Sequence, residues 1–396
     1  SKNLGGLMRR FELKEGRFEE FSSSKIRYFW NCLHYFRTFG FYKAFKFLKL
    51  RKMITKAFID VLAVNPMLRT AEIGVPDIEI LENREGLACK IERLPALDDD
   101  EKLAELISVA TRKDFEALEV VDFWREPGAT YSVFLFEDVA SDKKLELEKM
   151  NKNSFSFCLK LQKGLEVDFE KSPGLGLFGR SGSGKTTTLL AFLFQFLQNG
   201  AQICLIDGKN ELQVLDSLVK RAFRLDTIIK LLEIAVSELE RREALLSKAS
   251  AQSGRLGLKA SEIALNPLVV AVDELGAVMA SADSKEKAKL VALLTQIALK
   301  GRSCGVVLVV SSQFASVETI PNAIRSQLST KILLGSAPAE LVRMVFPQSS
   351  GGAKSARQFE GFVFVEGQRG REPARFQVPA LGCLQDVTKW VSFIES

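Results

Sequence analysis

The chain has 396 residues, a length that favours two or three domains. Its apolar content of 46% and charged content of 26% are ordinary for a globular protein with hydrophobic cores, and its formal net charge of +6 is only mildly basic. No run of 18 or more apolar residues occurs, which excludes a bilayer-spanning helix within this sequence.

The six cysteines form no C-x-x-C pair and the chain has a single histidine. This composition argues against a zinc site and favours reduced thiols in a cytosolic compartment.

Residues 21–59 form a basic, aromatic segment. It holds nine Lys or Arg residues, no Asp or Glu, and twelve interleaved aromatic residues. Because Gly and Pro are rare here, we predict amphipathic helix. Three interpretations stay open: a helical pair whose aromatic residues belong to a core, a helix facing anionic lipid headgroups, and a surface that binds a phosphate backbone while bases stack on aromatic rings.

Residues 60–150 are predicted to form a small α+β accessory domain without a cluster of reactive side chains. The pattern predicts strands at 72–76, 87–92 and 131–136 and a helix over 98–110, whose acidic start suits the helix dipole. A charged stretch at 142–152 is a plausible boundary.

Residues 151–396 alternate apolar runs with helical patterns, which predicts a mainly parallel sheet covered by helices. The continuous Val, Leu and Ile runs are typical of strands buried on both faces. We predict six strands, at 175–178, 202–206, 268–272, 305–310, 331–334 and 361–365, and a long helix over 226–248.

The clearest motif in the chain is G-x-x-x-x-G-K-[ST], which occurs once, at residues 179–186. It follows a predicted strand and precedes a helix predicted over 186–197, the context in which this motif binds nucleotide phosphates. Gly182 and Gly184 allow backbone N–H groups to wrap the phosphates, and the helix N-terminus adds partial positive charge.

Two side chains of this loop have specific roles. We expect Lys185 to reach the β- and γ-phosphates and the Thr186 hydroxyl to ligate Mg²⁺, so ATP and Mg²⁺ are the expected cofactors. The nucleotide-binding residues expected from the motif are Gly179, Arg180, Ser181, Gly182, Ser183, Gly184, Lys185, Thr186 and Thr187.

A pair of acids completes a hydrolytic site. The predicted strand 268–272 runs directly into Asp273 and Glu274. Asp273 fits the position that holds Mg²⁺, through water, and Glu274 fits a base that polarises the attacking water. The alternative is that the two acids only cap the next helix.

Further polar residues follow the other predicted strands. Gln313 is a candidate catalytic residue that senses the γ-phosphate, and Arg302 is a candidate that reaches the nucleotide of a neighbouring subunit. Arg302 has the alternative of a solvated surface residue, and Arg325 is a weaker second candidate. Asp207 and Lys209 either tune the site or touch a translocated polymer, or have only a packing or surface role.

These residues resemble the FtsK/SpoIIIE-like DNA translocases. The similarity is carried by Asp273-Glu-Leu-Gly-Ala-Val-Met-Ala280, by Leu299-Lys-Gly-Arg-Ser-Cys-Gly305 and by Ser311-Ser-Gln313. Five short motifs resemble those of the TcpA/ConQ-like coupling proteins of conjugative elements in Gram-positive bacteria. They lie at residues 206–209, 299–302, 320–325, 333–335 and 343–346. The resemblance covers about residues 155–380. Phe314-Ala315 and Pro347 depart from the usual family pattern.

The resemblance implies a RecA-like P-loop ATPase fold, a homo-hexameric ring and DNA passed through its centre. It also implies a relaxase and conjugation channel proteins as partners, and an N-terminal membrane anchor that we expect upstream of Ser1. Residues 1–59 would then be a membrane-proximal segment at the cytoplasmic side of the cell membrane, followed by the accessory domain 60–150 and the motor domain 151–396.

The function expected from these implications is an ATP-driven DNA translocase, the coupling protein that pumps DNA into a conjugative channel. One alternative is a chromosome-partitioning translocase, which carries a winged-helix domain after the motor. Only about 30 residues follow the last predicted strand, too few for such a domain. Another is a protein-secretion ATPase, a class that usually has tandem motors, whereas this chain has one phosphate loop. A nucleotide-gated scaffold without hydrolysis is disfavoured by Asp273 and Glu274.

Overall fold

The computed structural model describes residues 9–14, 17–20, 41–64, 73–75, 78–83, 86–93, 99–112, 118–125, 128, 131–138, 141–150, 157–313, 315, 319–349, 356–367 and 373–395. The chain divides into two compact units, Ser1–Ser141 and Asp142–Ser396.

Among the residues that the structure describes, the first unit contains two antiparallel sheets and two helices. Its elements are β1 (Arg9–Lys14), β2 (Arg17–Glu20), α1 (Phe41–Val64), β3 (Ile73–Val75), β4 (Ile78–Asn83), β5 (Gly86–Glu92), α2 (Asp100–Arg112), β6 (Leu118–Arg125) and β7 (Tyr131–Asp138). The strand orders are β2-β1-β3 and β4-β5-β7-β6. Leu50, Ile107 and Phe134 are fully buried in the core that joins α1 and α2 to the larger sheet. The four elements expected between residues 72 and 136 are confirmed, whereas β4 and β6 were not expected.

Helix α1 contains the described part of the basic, aromatic segment, while residues 21–40 lie outside the described residues. One face of α1 buries Phe47, Leu50 and Ile54, and Lys43 and Lys52 on other faces are exposed. This part of the segment therefore fits the core-helix interpretation. Within the described residues, no helix combines the length and apolar content that a bilayer crossing requires. The predicted boundary at residue 59 falls inside α1, and the three-domain division stays a prediction.

The second unit is built on one large sheet. Its strands are β8 (Cys158–Gln162), β9 (Leu165–Asp168), β10 (Gly174–Gly179), β11 (Gln202–Asp207), β12 (Lys220–Ala222), β13 (Leu268–Asp273), β14 (Val306–Ser312), β15 (Thr330–Leu334), β16 (Glu360–Val365) and β17 (Ala374–Gln377). Its helices are α3 (Lys185–Gln198), α4 (Leu225–Ser253), α5 (Leu275–Ser281), α6 (Ser284–Cys304), α7 (Asn322–Arg325), α8 (Ala339–Val345) and α9 (Trp390–Glu395).

The eight-stranded sheet has the order β12-β11-β13-β14-β10-β15-β16-β17. The strands from β12 to β15 are parallel, and β16 and β17 are antiparallel to their neighbours. The six predicted strands and the mainly parallel sheet are confirmed. Strand β14 lies between β13 and β10, so the phosphate-loop strand and the acid-bearing strand are separated by one strand.

Both faces of this sheet are covered, which explains the continuous apolar runs. Along β13, Val270 and Val272 pack into one core with α4 and α6, while Val269 and Ala271 pack into the other core with α3. Successive side chains of a strand point to opposite faces, so a strand buried on both sides has no polar positions.

The predicted long helix extends five residues further than expected, to Ser253, and ends where Gly254 adopts φ +67°. Gly305 caps α6 with φ +66° rather than starting β14, which runs to Ser312. Gln313 therefore directly follows this strand.

A buried arginine joins α4 to the end of α6. The Arg242 side chain is only 5% exposed, and its Nε pairs with Glu238 Oε1 at 2.8 Å. Its guanidinium also donates to the carbonyl oxygens of Asn266, Cys304 and Gly305, at 2.9, 3.1 and 3.3 Å. One side chain thus satisfies backbone carbonyl groups in two places, directly before β13 and at the end of α6.

Replacing Arg242 with Met should deprive these buried carbonyl groups of the hydrogen bonds that Arg242 donates. We expect the free energy of unfolding to fall by about 2–4 kcal/mol. Urea unfolding should show a lower midpoint with an unchanged m value. Arg241→Met is the matched control, because Arg241 pairs with the same Glu238 but its side chain is 57% exposed. We expect the control to lose no more than about 0.5 kcal/mol; equal losses in the two variants would contradict the assignment.

Candidate active site

The phosphate loop connects β10 to α3 at the carboxyl edge of the sheet. Gly179 and Gly184 have φ values of +144° and +103°, a region that L side chains rarely adopt. A Cβ atom on Gly179 would also lie 2.6 Å from the Leu334 carbonyl oxygen, and one on Gly184 would lie 2.9 Å from Phe359 Cδ1. Backbone conformation and close neighbours together require glycine at these positions.

Lys185 is the first residue of α3 and is buried. Its Nζ donates to the carbonyl oxygens of Gly179 at 2.6 Å and Arg180 at 3.1 Å, so the ammonium folds back over its own loop. Burial lowers the pKa of Lys185, Glu274 and Asp273 oppose that shift, and Lys209 adds to it. A phosphate oxygen is a stronger, charged acceptor than either carbonyl group.

The loop fits a polyphosphate on two further observations. Ser183 Oγ is buried and has no hydrogen-bond partner in the described part of the chain, and a phosphate oxygen would accept its proton. Arg180, Ser181 and Thr186 are exposed, so the loop is accessible and the Thr186 hydroxyl is free to meet a cation. The nine loop residues expected to bind nucleotide lie together here, and their roles stay predictions.

Asp273 ends β13 and Glu274 directly follows it; the two residues are only 4% and 6% exposed. Burial raises the pKa of Asp273 to about 6; Lys209 opposes this shift, while Asp207 and Glu274 add to it. A divalent cation would offset the negative charge that burial and the neighbouring acids disfavour, so a carboxylate in these surroundings is an energetically favourable place for such a cation. Glu274 occupies the N-cap position of α5, but its side chain makes no capping hydrogen bond within the described structure. The alternative that these acids serve only as helix caps is therefore disfavoured.

The two carboxylate oxygens of Glu274 differ, because within the described residues only Oε1 is hydrogen-bonded, while Oε2 is in an ion pair. Oε1 accepts the backbone N–H of Gln313 at 3.0 Å, and Oε2 lies 3.3 Å from Lys209 Nζ. Gln313 thus reaches the acid pair through its backbone, whereas the sequence suggested only a side-chain role. Of the interpretations for Lys209, contact with the site is the one that this geometry favours.

The loop after β11 delivers Lys209 by lying directly on the backbone of the acid pair. Gly208 N donates to the Asp273 carbonyl oxygen at 3.1 Å, and a Cβ atom on Gly208 would lie 2.8 Å from that oxygen. Asp207, fully buried, accepts the N–H groups of Glu211 and Leu212 and pairs with Arg221 at 3.0 Å. Asp207 therefore has the structural role that the sequence left as an alternative, and the importance of Gly208 was not foreseen.

Neither arginine candidate lies at this site. Arg302 is exposed in the last turn of α6, at the amino end of β14 and so at the opposite edge of the sheet. Arg325 donates to the Ala315 carbonyl oxygen at 2.9 Å and to Asn322 Oδ1 at 2.6 Å, so its side chain links α7 to Ala315. The catalytic role of Arg302 stays a prediction that requires a second subunit.

Residues 142–317 match the sequence model of the FtsK/SpoIIIE family. This part of the chain is therefore similar to FtsK/SpoIIIE domains. Two relatives are the FtsK domain-containing protein YdcQ of Bacillus subtilis (strain 168), 27% identical over 180 residues, and the DNA translocase FtsK of Chlorobaculum tepidum, 24% identical over 353 residues. The aligned parts are 45% and 83% of this chain but 37% and 42% of those proteins. The chain thus spans less than half the length of these relatives.

A solved structure of the pCW3 conjugation coupling protein TcpA, a monomer form with ATPγS, superposes with a TM-score of 0.58 at 17% identity. The match covers 87% of this chain and 99% of that one. The α/β P-loop ATPase fold is thereby confirmed, and the FtsK/SpoIIIE match supports the prediction of an ATPase.

The raised pKa of Asp273 predicts a pH-dependent gain in stability on its removal. A carboxyl group whose pKa is higher in the folded chain favours folding while protonated, so this contribution is complete below about pH 4 and is lost as the pH rises through about 6. Asp273→Asn should therefore match the wild type near pH 4 and exceed its free energy of unfolding by up to about 3 kcal/mol above pH 7.

Urea unfolding in EDTA without nucleotide checks this prediction. Asp226→Asn, at an aspartate whose side chain is 58% exposed, is the control and should stay within about 0.5 kcal/mol at every pH. If the difference in the free energy of unfolding between Asp273→Asn and the wild type does not change with pH, the pKa of Asp273 is not raised in the folded chain and the prediction is wrong.

Proposed function

We propose that this chain is an ATP-driven DNA translocase. The observation that carries the ATPase part is the buried acid pair beside the phosphate loop, with Glu274 held between Lys209 and the Gln313 amide. The DNA part rests on the FtsK/SpoIIIE domain and on relatives that are named DNA translocases.

The site residues divide the work of hydrolysis among them. Lys185 would exchange the carbonyl groups of its own loop for β- and γ-phosphate oxygens. Thr186 and Asp273 would hold Mg²⁺, which would neutralise charge on the phosphates. Glu274 accepts a proton from the water whose oxygen forms the new bond to the γ-phosphorus as the bond to the ADP oxygen breaks. Lys209 neutralises Glu274 before nucleotide arrives, which reduces the cost of burying that carboxylate.

The position of Arg302 supports a ring-shaped assembly of several copies of this chain. It is exposed and lies at the opposite edge of the sheet from its own phosphate loop, so it can act only on the nucleotide of a neighbouring copy. A guanidinium supplied in this way stabilises transition-state charge on the γ-phosphate. A closed homo-hexamer would give every site one such arginine and a central passage for DNA.

We assign the translocase to conjugative transfer, as the coupling protein that pumps DNA into the transfer channel. The similarity to TcpA extends over nearly all of that structure and includes part of the first unit of this chain, which supports this role. A relaxase, channel proteins and attachment to the cytoplasmic side of the cell membrane belong to the same proposal. Chromosome partitioning is the second candidate, favoured by the alignment with Chlorobaculum tepidum FtsK over 83% of the chain.

Substitutions at the loop and at the base should separate binding from hydrolysis. Lys185→Ala should lose ATP binding, whereas Glu274→Gln should still bind ATP but hydrolyse it about 10²- to 10⁴-fold more slowly. Single- or double-stranded DNA should raise the wild-type rate of phosphate release. Unchanged hydrolysis in both variants would remove the site assignment; stimulation by a polypeptide and by neither form of DNA would point to a secretion ATPase.

Mixing two inactive variants tests whether Arg302 acts between subunits. Arg302→Ala and Lys185→Ala should each hydrolyse ATP at least about 10³-fold more slowly than the wild type. Co-assembled, they should regain activity, because a Lys185→Ala subunit supplies Arg302 to an intact loop next to it. Arg241→Ala is the control arginine and should keep wild-type activity alone. No recovery in mixed assemblies, with the wild type assembling normally, would refute action in trans.

A further inference from the structure

Phe359 has an unusual backbone conformation directly before β16. Its φ is +62°, a region that bulky L residues avoid and that is energetically costly for phenylalanine. Hydrogen bonds on both sides hold it there: the Phe359 carbonyl oxygen accepts Val378 N–H at 2.9 Å, and Glu360 N–H donates to the Arg357 carbonyl oxygen at 3.1 Å. Strained residues of this kind persist where the surroundings fix them, and they concentrate at functional sites.

The Phe359 ring lies against the phosphate loop. A Cβ atom placed on Gly184 would come 2.9 Å from Phe359 Cδ1 and 3.6 Å from its Cε1, so the ring borders the residue that precedes Lys185. The side chain is nevertheless 46% exposed. The strained backbone therefore holds an aromatic surface open to solvent beside the loop.

The order of the strands sets the direction in which a nucleotide crosses this edge. The acid pair ends β13, two strands to one side of β10, and β16 lies two strands to the other side. The amino end of β16 pairs with the carboxyl end of β15, Gly361 opposite Leu334, so Phe359 is at the same edge as the loop. A nucleotide bound with its γ-phosphate toward Glu274 would extend across the loop, with its base on the side of β15 and β16.

A base at that end meets an aromatic ring. Stacking on an aromatic side chain contributes about five- to a hundredfold in affinity per base, and a phenyl ring offers no polar edge that would distinguish one base from another. The larger faces of purines give more contact than those of pyrimidines.

We propose that Phe359 is the stacking platform for the purine base of the bound nucleotide. The proposal rests on the proposed nucleotide-binding function and adds base selectivity to it. Phosphates bind to the loop around Lys185, and the base binds on the ring of Phe359. The site therefore takes ATP and GTP similarly and binds CTP and UTP more weakly.

Calorimetric titration of the chain with ATP and with inorganic tripolyphosphate tests this assignment. Phe359→Gly removes the ring and also relieves the positive φ, so the variant should fold at least as well as the wild type. We expect its affinity for ATP to fall about five- to a hundredfold, with the affinity for tripolyphosphate unchanged. Phe359→Trp should retain the wild-type affinity for ATP.

Two controls separate the outcomes. Phe223→Ala is the first control. Phe223 is the other half-exposed phenylalanine in the described part of the second unit, and it lies next to β12 at the far end of the sheet. This variant should bind ATP normally. Wild-type affinity for ATP in Phe359→Gly would overturn the stacking platform, as would an equal loss of ATP and tripolyphosphate, which would make the ring a support for the loop. A wild-type chain that binds neither probe would instead remove the proposed function itself.

Discussion

Burying two adjacent carboxylates is the constraint on which the second unit depends. Asp273 and Glu274 are almost inaccessible to water, and Glu274 disfavours the charge on Asp273. Lys209, the Gln313 amide and the nearby Lys185 offset this cost from three directions. Because one of these groups follows β11, another follows β14 and the third follows β10, the carboxyl ends of adjacent parallel strands must converge at this point. The parallel sheet is therefore the structure that makes the acid pair tolerable.

The support extends well beyond the residues that would meet a substrate. Arg221 contacts Asp207, Asp216 and Asn210, and Asp207 in turn fixes the first turn of the loop that carries Lys209. The absence of a side chain at Gly208 then lets this loop lie on the acid backbone. A short edge strand, β12, thus helps to position a charge at the candidate site through a chain of polar contacts, and such chains are strong only when every member is satisfied.

Local patterns in the sequence were sufficient for the phosphate loop, the acid pair and the strands that carry them. Each is a contiguous apolar run that ends in polar residues, so its structure depends little on distant parts of the chain. The antiparallel course of β16 and the pairing of the three-residue strand β12 depend on neighbours far along the sequence and were not predictable. The same holds for Lys209 against Glu274, which are 65 positions apart, and for the backbone role of Gln313. Phe359 adopts a conformation that its residue type opposes, and no sequence pattern signals it.

The hydrogen bonds of Lys185 to its own loop have a consequence for turnover. The ammonium is bound to the carbonyl groups of Gly179 and Arg180 and so fixes the conformation of the loop from within. Under the proposed function, a nucleotide would therefore lose little affinity to ordering the chain, since it would only exchange one set of acceptors for a better one. Release of the product would return the lysine to these carbonyl groups, so the loop would keep its fold from one cycle to the next.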